Sequence, residues 1–170
     1  NDYATVSIGS QCWMSSDLNV TNYNNGASIP DYQAGPYGKV YTWNSIDSSL
    51  NICPNGWKVP TDEDWKILEG EVDGTYNYPD AEWDKTGERG VDVGTKLKHD
   101  IDWNGTNDYD FNVRPDLTTP DPKSIRYWSS SEWTSDPSLV IFRHFQADMS
   151  GVWRSVISKT QTYSVRCVKE

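Results

Sequence analysis

The side chains best suited to chemistry in this sequence are carboxylates and indoles. The run Asp100-Ile101-Asp102-Trp103-Asn104-Gly105 places oxygens at alternate positions ahead of a glycine, as a D-x-D-x-N-G calcium loop does at its start. Position twelve breaks the pattern, because Phe111 stands where a bidentate Glu would close the coordination sphere. A solvated acidic turn over Asp100–Asp108 is therefore the favoured reading, with calcium as the open alternative. His99 and His144 are the only histidines, they fall on different elements, and neither has a Ser or Cys motif beside it. No nucleophile and base can be paired from them, so no catalytic residue is named. The 25 acidic residues leave room for a secreted hydrolase working through an acidic cleft, but no pair at glycosidase separation can be picked from spacing alone. No motif calls for a cofactor. Cys12, Cys53 and Cys167 are odd in number and none lies in a CxxC. They allow one disulfide and one leftover thiol, or three small buried side chains in a reducing compartment, but no four-cysteine zinc site.

Composition narrows the partners. Twenty-five acidic against 15 basic residues give a net charge of −10, which would repel the phosphate backbone that dominates nucleic-acid affinity. No apolar run approaches the roughly 20 residues needed to cross a bilayer, so no membrane insertion by this chain is expected. A sequence opening at Asn1 without a signal-peptide pattern is expected to be a mature fragment. Hydrophobic residues make up 35% of the chain, yet nine Trp and ten Tyr supply rigid apolar bodies enough for one globular domain over residues 1–170.

The elements that must position these groups are short. Val6 and Ile8 alternate with small polar neighbours in an early strand between Tyr3 and Met14. Asn19–Gly38 is rich in Asn, Gly, Pro and Asp and reads as a long surface loop, after which Val40-Tyr41-Thr42-Trp43 resumes strand character. Thr61 is an N-cap ahead of Asp62, Glu63 and Asp64, and Trp65 and Leu68 share a helical face. This predicts a helix over 62–69 ended by Gly70. Residues 71–90 read as irregular, and a second short helix is expected between Val91 and His99, weakened by Gly94. Tyr127-Trp128, Leu139–Phe145, Val152–Ile157 and Tyr163–Val168 are β-prone runs between Ser, Asp and Gly turns, an antiparallel meander. The class is α+β.

Several blocks recur in a recognisable order: Ser7-Ile8-Gly9-Ser10-Gln11-Cys12-Trp13-Met14, Tyr41-Thr42-Trp43-Asn44, Ile52-Cys53-Pro54-Asn55-Gly56-Trp57-Lys58-Val59-Pro60-Thr61-Asp62-Glu63-Asp64-Trp65, Lys96-Leu97-Lys98, Trp128-Ser129-Ser130-Ser131-Glu132 and Ser164-Val165-Arg166-Cys167-Val168-Lys169. In this the chain closely resembles the Fibrobacter succinogenes major paralogous domain. The resemblance implies a C-type-lectin-like fold with two short helices, a long irregular region and the C-terminal meander. It also implies a secreted or bacterial cell-surface protein that serves as a binding or adhesion module for an extracellular protein or carbohydrate ligand. Cys53 and Cys167 stand at the family's two usual cysteine positions, so the resemblance implies a disulfide between them with Cys12 left over. The chain departs from the family at Tyr109-Asp110-Phe111-Asn112-Val113-Arg114-Pro115, which leaves the loop geometry there open.

Trp13, Trp43, Trp57, Trp65 and Trp128 lie inside the family blocks and are expected in the core. Outside them, Trp133, Arg143, Phe145, Trp153 and Arg154 are the expected ligand contacts, because aromatic and Arg side chains dominate binding energy most often. Alternation does not settle which way they point, since Leu139, Ile141, Arg143 and Phe145 form one face of their strand and Val140, Phe142 and His144 the other, both largely apolar. The runs 135–145 and 154–158 also lack Lys, Glu, Gln, Met and Trp, the five types that adenine-directed mutation of Asn codons cannot produce. A retroelement-diversified binding surface is the expectation this raises.

Overall fold

The computed structural model describes residues 2–35, 37–101, 103–116 and 123–170. The chain opens with an antiparallel hairpin, β1 (Thr5–Ile8) and β2 (Gln11–Met14). A second hairpin, β3 (Tyr32–Ala34) and β4 (Lys39–Thr42), runs straight into a one-turn helix, α1 (Trp43–Ile46). Then come β5 (Trp57–Lys58), the main helix α2 (Asp62–Val72), a 3-10 turn at Ala81–Asp84, β6 (Gly87–Arg89) and α3 (Val93–Leu97). The last third is strand: β7 (Ser124–Trp133), β8 (Asp136–Gln146), β9 (Val152–Ser158), β10 (Thr162–Ser164) and β11 (Val168–Lys169). The fold is α+β, mostly sheet with a few short helices.

Two sheets result, one in the order β1-β2-β11-β5 and one in the order β3-β4-β10-β7-β8-β9-β6. β7, β8 and β9 form the expected meander. The expected final strand over Tyr163–Val168 is instead two: β10 returns to lie parallel to β7, then the chain crosses and β11 enters the small sheet between β2 and β5. Both ends of the chain thus share one sheet. Among the described residues no helix is long and apolar enough to cross a membrane.

α2 starts where the sequence places it. The Thr61 hydroxyl accepts from the Asp64 N–H while the Asp64 carboxylate accepts from the Thr61 N–H, a capping box that satisfies two helix-end donors. Trp65, Leu68 and Val72 bury the inner stripe. The helix does not stop at Gly70 but runs to Val72. Gly70 is there for proximity, since a Cβ on it would lie 2.3 Å from the Tyr78 backbone nitrogen. Gly94, expected to weaken α3, has the same role, because a Cβ there would lie 2.0 Å from the Gly151 carbonyl oxygen.

The core divides between the faces of the large sheet. Trp13, Trp65, Phe111, Tyr127 and Phe145 stack on the α2 side, with Trp13 and Trp65 centroids 4.9 Å apart. Tyr41, Trp43, Trp128, Val140 and Phe142 belong to the second cluster. β8 was ambiguous from its pattern because both of its faces are covered: every residue from Val140 to Phe145 is buried. Trp13, Trp43, Trp65 and Trp128 are core residues as expected, and Trp57 is partly buried.

Cys53 and Cys167 are bonded, closing 114 residues of sequence, and Cys12 is free. The bond fastens the loop before β5 to the residue before β11. Non-reducing peptide mapping should therefore find Cys53 joined to Cys167 and Cys12 alkylatable. Removing the bridge with a Cys53→Ala, Cys167→Ala pair should lower unfolding free energy by about 4–5 kcal/mol in the chain-entropy account. A disulfide that includes Cys12 would contradict this pairing.

Candidate functional site

The sequence places two carboxylates two turns apart on one face of α2, Asp62 and Glu69, and three arginines on consecutive strands of the sheet beneath. They meet in the core. Arg143 on β8 donates from Nε to Glu69 Oε1 at 2.6 Å and from NH1 to Asp62 Oδ1 at 2.8 Å. Arg154 on β9 grips Asp62 with two bonds, Nε to Oδ1 at 2.9 Å and NH2 to Oδ2 at 2.6 Å. Arg89 on β6 donates to Glu69 Oε2 at 2.7 Å and also to the Trp83 carbonyl. Glu69, Arg89 and Arg143 are fully buried, and Asp62 and Arg154 nearly so.

Three guanidiniums face two carboxylates here, and burial and the opposite charges pull Asp62, Arg89 and Arg143 in different directions. Burial would raise Asp62, but its bonds to Arg154 and Arg143 outweigh it and hold the carboxyl well below the usual range. Burial, with the neighbouring Arg143 and Arg154, pulls Arg89 down to about 10. Arg143 is raised, because Glu69 and Asp62 more than offset its desolvation. Asp62 is thus an ionised anchor at neutral pH.

The five expected contacts part company here. Arg143 and Phe145 are corrected from contacts to core. Both sit on the face of β8 that packs against α2, Arg143 in the ion network and Phe145 edge-on to Tyr127 at 6.0 Å, and both are 0% exposed. For the same reason the run 135–145 is not a surface, since only its residues up to Leu139 lie outside the buried stretch. Trp133 and Arg154 do come together. The Arg154 guanidinium lies under the partly buried Trp133 indole, 5.5 Å from its centroid. Trp153 stands on the opposite face of β9, 36% exposed, in register with His144 and Glu88.

Trp133 and Arg154 line one trough of about 350 Å³ between the start of α2 and the β7–β8 hairpin. Its other polar walls include Thr61, Glu63, Lys66, Ser131 and Thr134. The Ser131 hydroxyl accepts from the Asp62 N–H at 2.9 Å, which ties the hairpin to the helix. The bulges between Trp128 and Trp133 turn the end of β7 so that Trp133 crosses over Arg154.

In the acidic run, Asp102 lies outside the described residues. The Asn104 carboxamide oxygen accepts from the Lys98 ammonium at 2.6 Å, and that ammonium also donates to the carbonyls of Gln146 and Met149. A lysine thus takes up this oxygen, and burial brings its pKa down to about 8. Among the described residues no group of His, Cys, Asp and Glu gathers as a metal site.

A second buried pair was not singled out from sequence. Arg166 donates to Asp17 Oδ1 at 2.6 Å, and Tyr127 OH donates to the same oxygen at 2.9 Å. The available signal was an Arg inside an apolar run, Val165-Arg166-Cys167, the same signal Arg143 carries in Ile141-Phe142-Arg143.

The family model for the Fibrobacter succinogenes major domain matches residues 6–169, nearly the whole chain. The chain belongs to that family. Among curated proteins and among solved structures nothing matches it. In this major domain the matched span takes in the capping box, all the arginines of the two buried clusters and both bonded cysteines.

Replacing Asp62 by Asn should lower unfolding free energy by roughly 3–5 kcal/mol, because Arg154 and Arg143 would be left underpaired in the interior. The sign with pH follows from the depressed carboxyl. Its contribution is complete above its unfolded pKa of roughly 4 and fades as pH falls below that. Denaturant midpoints of the parent should drop between pH 4 and 2 more steeply than those of Asp62→Asn; parallel profiles would contradict the assignment.

Proposed function

We propose that this domain is an extracellular ligand-binding module whose ligand is a glycan, taken up in the trough under Trp133. The observation that carries the reading is the braced indole. Arg154 supports one face of Trp133 from a fixed position in the ion network, so the ring is held at the rim without side-chain entropy to lose on binding. Beside it are hydroxyls of Ser131 and Thr134 and the carboxylate of Glu63. An aromatic plate next to short polar side chains suits a sugar ring, which offers a C–H face for stacking and an edge of hydroxyls for hydrogen bonds. The volume admits one or two sugar rings.

The alternative of hydrolysis through an acidic cleft finds less support. A general acid needs a pKa raised towards neutrality, and the most buried carboxylate at the trough, Asp62, is shifted the other way. Secretion or display on a bacterial cell surface accords with the Cys53–Cys167 bond, since structural disulfides persist in oxidising compartments. Chain ends that share one sheet, short helices and a terminal meander support the C-type-lectin-like reading of the fold. Trp153, on the other face, is a candidate contact for a protein partner and no part of the glycan trough.

A glycan array probed with the purified domain should give a defined set of bound structures. Trp133→Ala should weaken binding to the strongest of them by more than about 1 kcal/mol, with the circular dichroism spectrum unchanged, while Trp153→Ala binds as the parent does. An array without signal, or full binding by Trp133→Ala, would overturn the proposal.

A further inference from the structure

We infer a second ligand site, separate from the Trp133 trough and independent of that reading, in a cleft of about 310 Å³ beside the buried Asp17–Arg166 pair. It is suited to a small carboxylate that also carries a hydrogen-bond donor. The pair provides its floor. Asp17 is 6% exposed and Arg166 2%. Asp17 Oδ1 is taken by Arg166 and Tyr127, whereas Oδ2 has no partner among the described residues. Arg166 spends its terminal nitrogens on Asp17, on Tyr127 OH and on the carbonyls of Phe111 and Asn112, and its buried Nε has no acceptor. Asp17 lines the cleft, so its open Oδ2 is a carboxylate oxygen available to a donor from outside the chain.

The rim supplies the opposite charge. Arg114 is exposed at the mouth, with its guanidinium carbon 5.5 Å from the Tyr37 ring centroid. Among the described residues it makes one hydrogen bond, from NH2 to His99, which leaves its other donors open to them. Ser15 and Ser16 line the cleft with hydroxyls that make no bond to the described residues. The loop that delivers both the Asn112 carbonyl and Arg114 contains three non-glycine residues at positive φ, Asn107, Asp110 and Asn112. Such strain is held in place where the surroundings fix it, here by the Arg166 guanidinium bonded to two of its carbonyls. In a chain of net charge −10 an exposed guanidinium at a cavity mouth is an uncommon resource.

The arrangement is polarised. A carboxylate at the mouth meets Arg114, and an ammonium or hydroxyl deeper in the cleft donates to Asp17 Oδ2. Sugar acids and α-amino acids share this chemistry. Titration calorimetry with D-glucuronate, L-serine and D-glucose on the whole domain tests the assignment. Binding of D-glucuronate, of L-serine or of both, with D-glucose at least about tenfold weaker, is the expected result, and the stronger of the two identifies the source. Arg114→Ala should weaken that binding roughly tenfold or more, as loss of a charge-assisted bond does, and Trp133→Ala should leave it unchanged. Arg114 is exposed, so its removal leaves the fold intact, whereas Asp17→Asn would disturb the buried pair. Absence of binding by both acids, equal binding of D-glucose, or undiminished binding by Arg114→Ala would each overturn the inference.

Discussion

Asp62 and Glu69 project from one face of α2 and hold Arg89, Arg143 and Arg154 from three neighbouring strands. Carrying five charged groups into the interior costs several kcal/mol for each, and only close, multiply bonded geometry offsets that cost. The network therefore tolerates little displacement of α2 relative to β6, β8 and β9. It sets the helix start against the β7–β8 hairpin, and that spacing defines the trough. Hydrophobic packing of Trp65, Leu68 and Val72 would hold the helix on the sheet, but apolar contacts are non-directional and do not fix its register so tightly. The stacking of Arg154 under Trp133 then passes the rigidity of the interior out to the rim.

How much of this could be read from the residues depended on whether the information was local. The N-cap at Thr61 and the three strands of the meander are encoded by neighbours in sequence, and both formed where expected. Gly70 and Gly94 misled, because their reason for being glycine lies in Tyr78 and Gly151, which no window around them contains. β8 could not be oriented, since a strand covered on both sides has no polar face to mark the outside. Its Arg143 then looked like a surface recognition residue, when the partners that bring it inside lie 74 and 81 residues away on α2. The same distance hid the Asp17–Arg166 pair, separated by 149 positions. Trp133, Trp153 and Arg154 stood together as candidate contacts; that Trp133 crosses over Arg154 follows from bulges in β7 that the pattern does not announce, while Trp153 faces away because it neighbours Arg154 on one strand.

The two cavities use the same construction. In each, an aspartate–arginine pair buried behind the surface fixes the position of a guanidinium or carboxylate, and an aromatic ring stands at the rim with an Arg against it: Trp133 with Arg154, Tyr37 with Arg114. A cavity organised in this way before any ligand arrives would lose less entropy on binding one. The disulfide has a similar effect on the sheet that joins the chain ends, holding β11 between β2 and β5 when the rest of the edge is only two residues wide.

The central claim is that a glycan sits against Trp133, and the indole N–H resonances report on it directly. Nine tryptophans give nine such signals, which single substitutions assign. On titration with the strongest glycan-array ligand, the Trp133 indole resonance should shift progressively and saturably while those of the buried Trp13, Trp65 and Trp128 stay in place. A titration that moves the Trp153 signal and leaves Trp133 where it was would contradict the account.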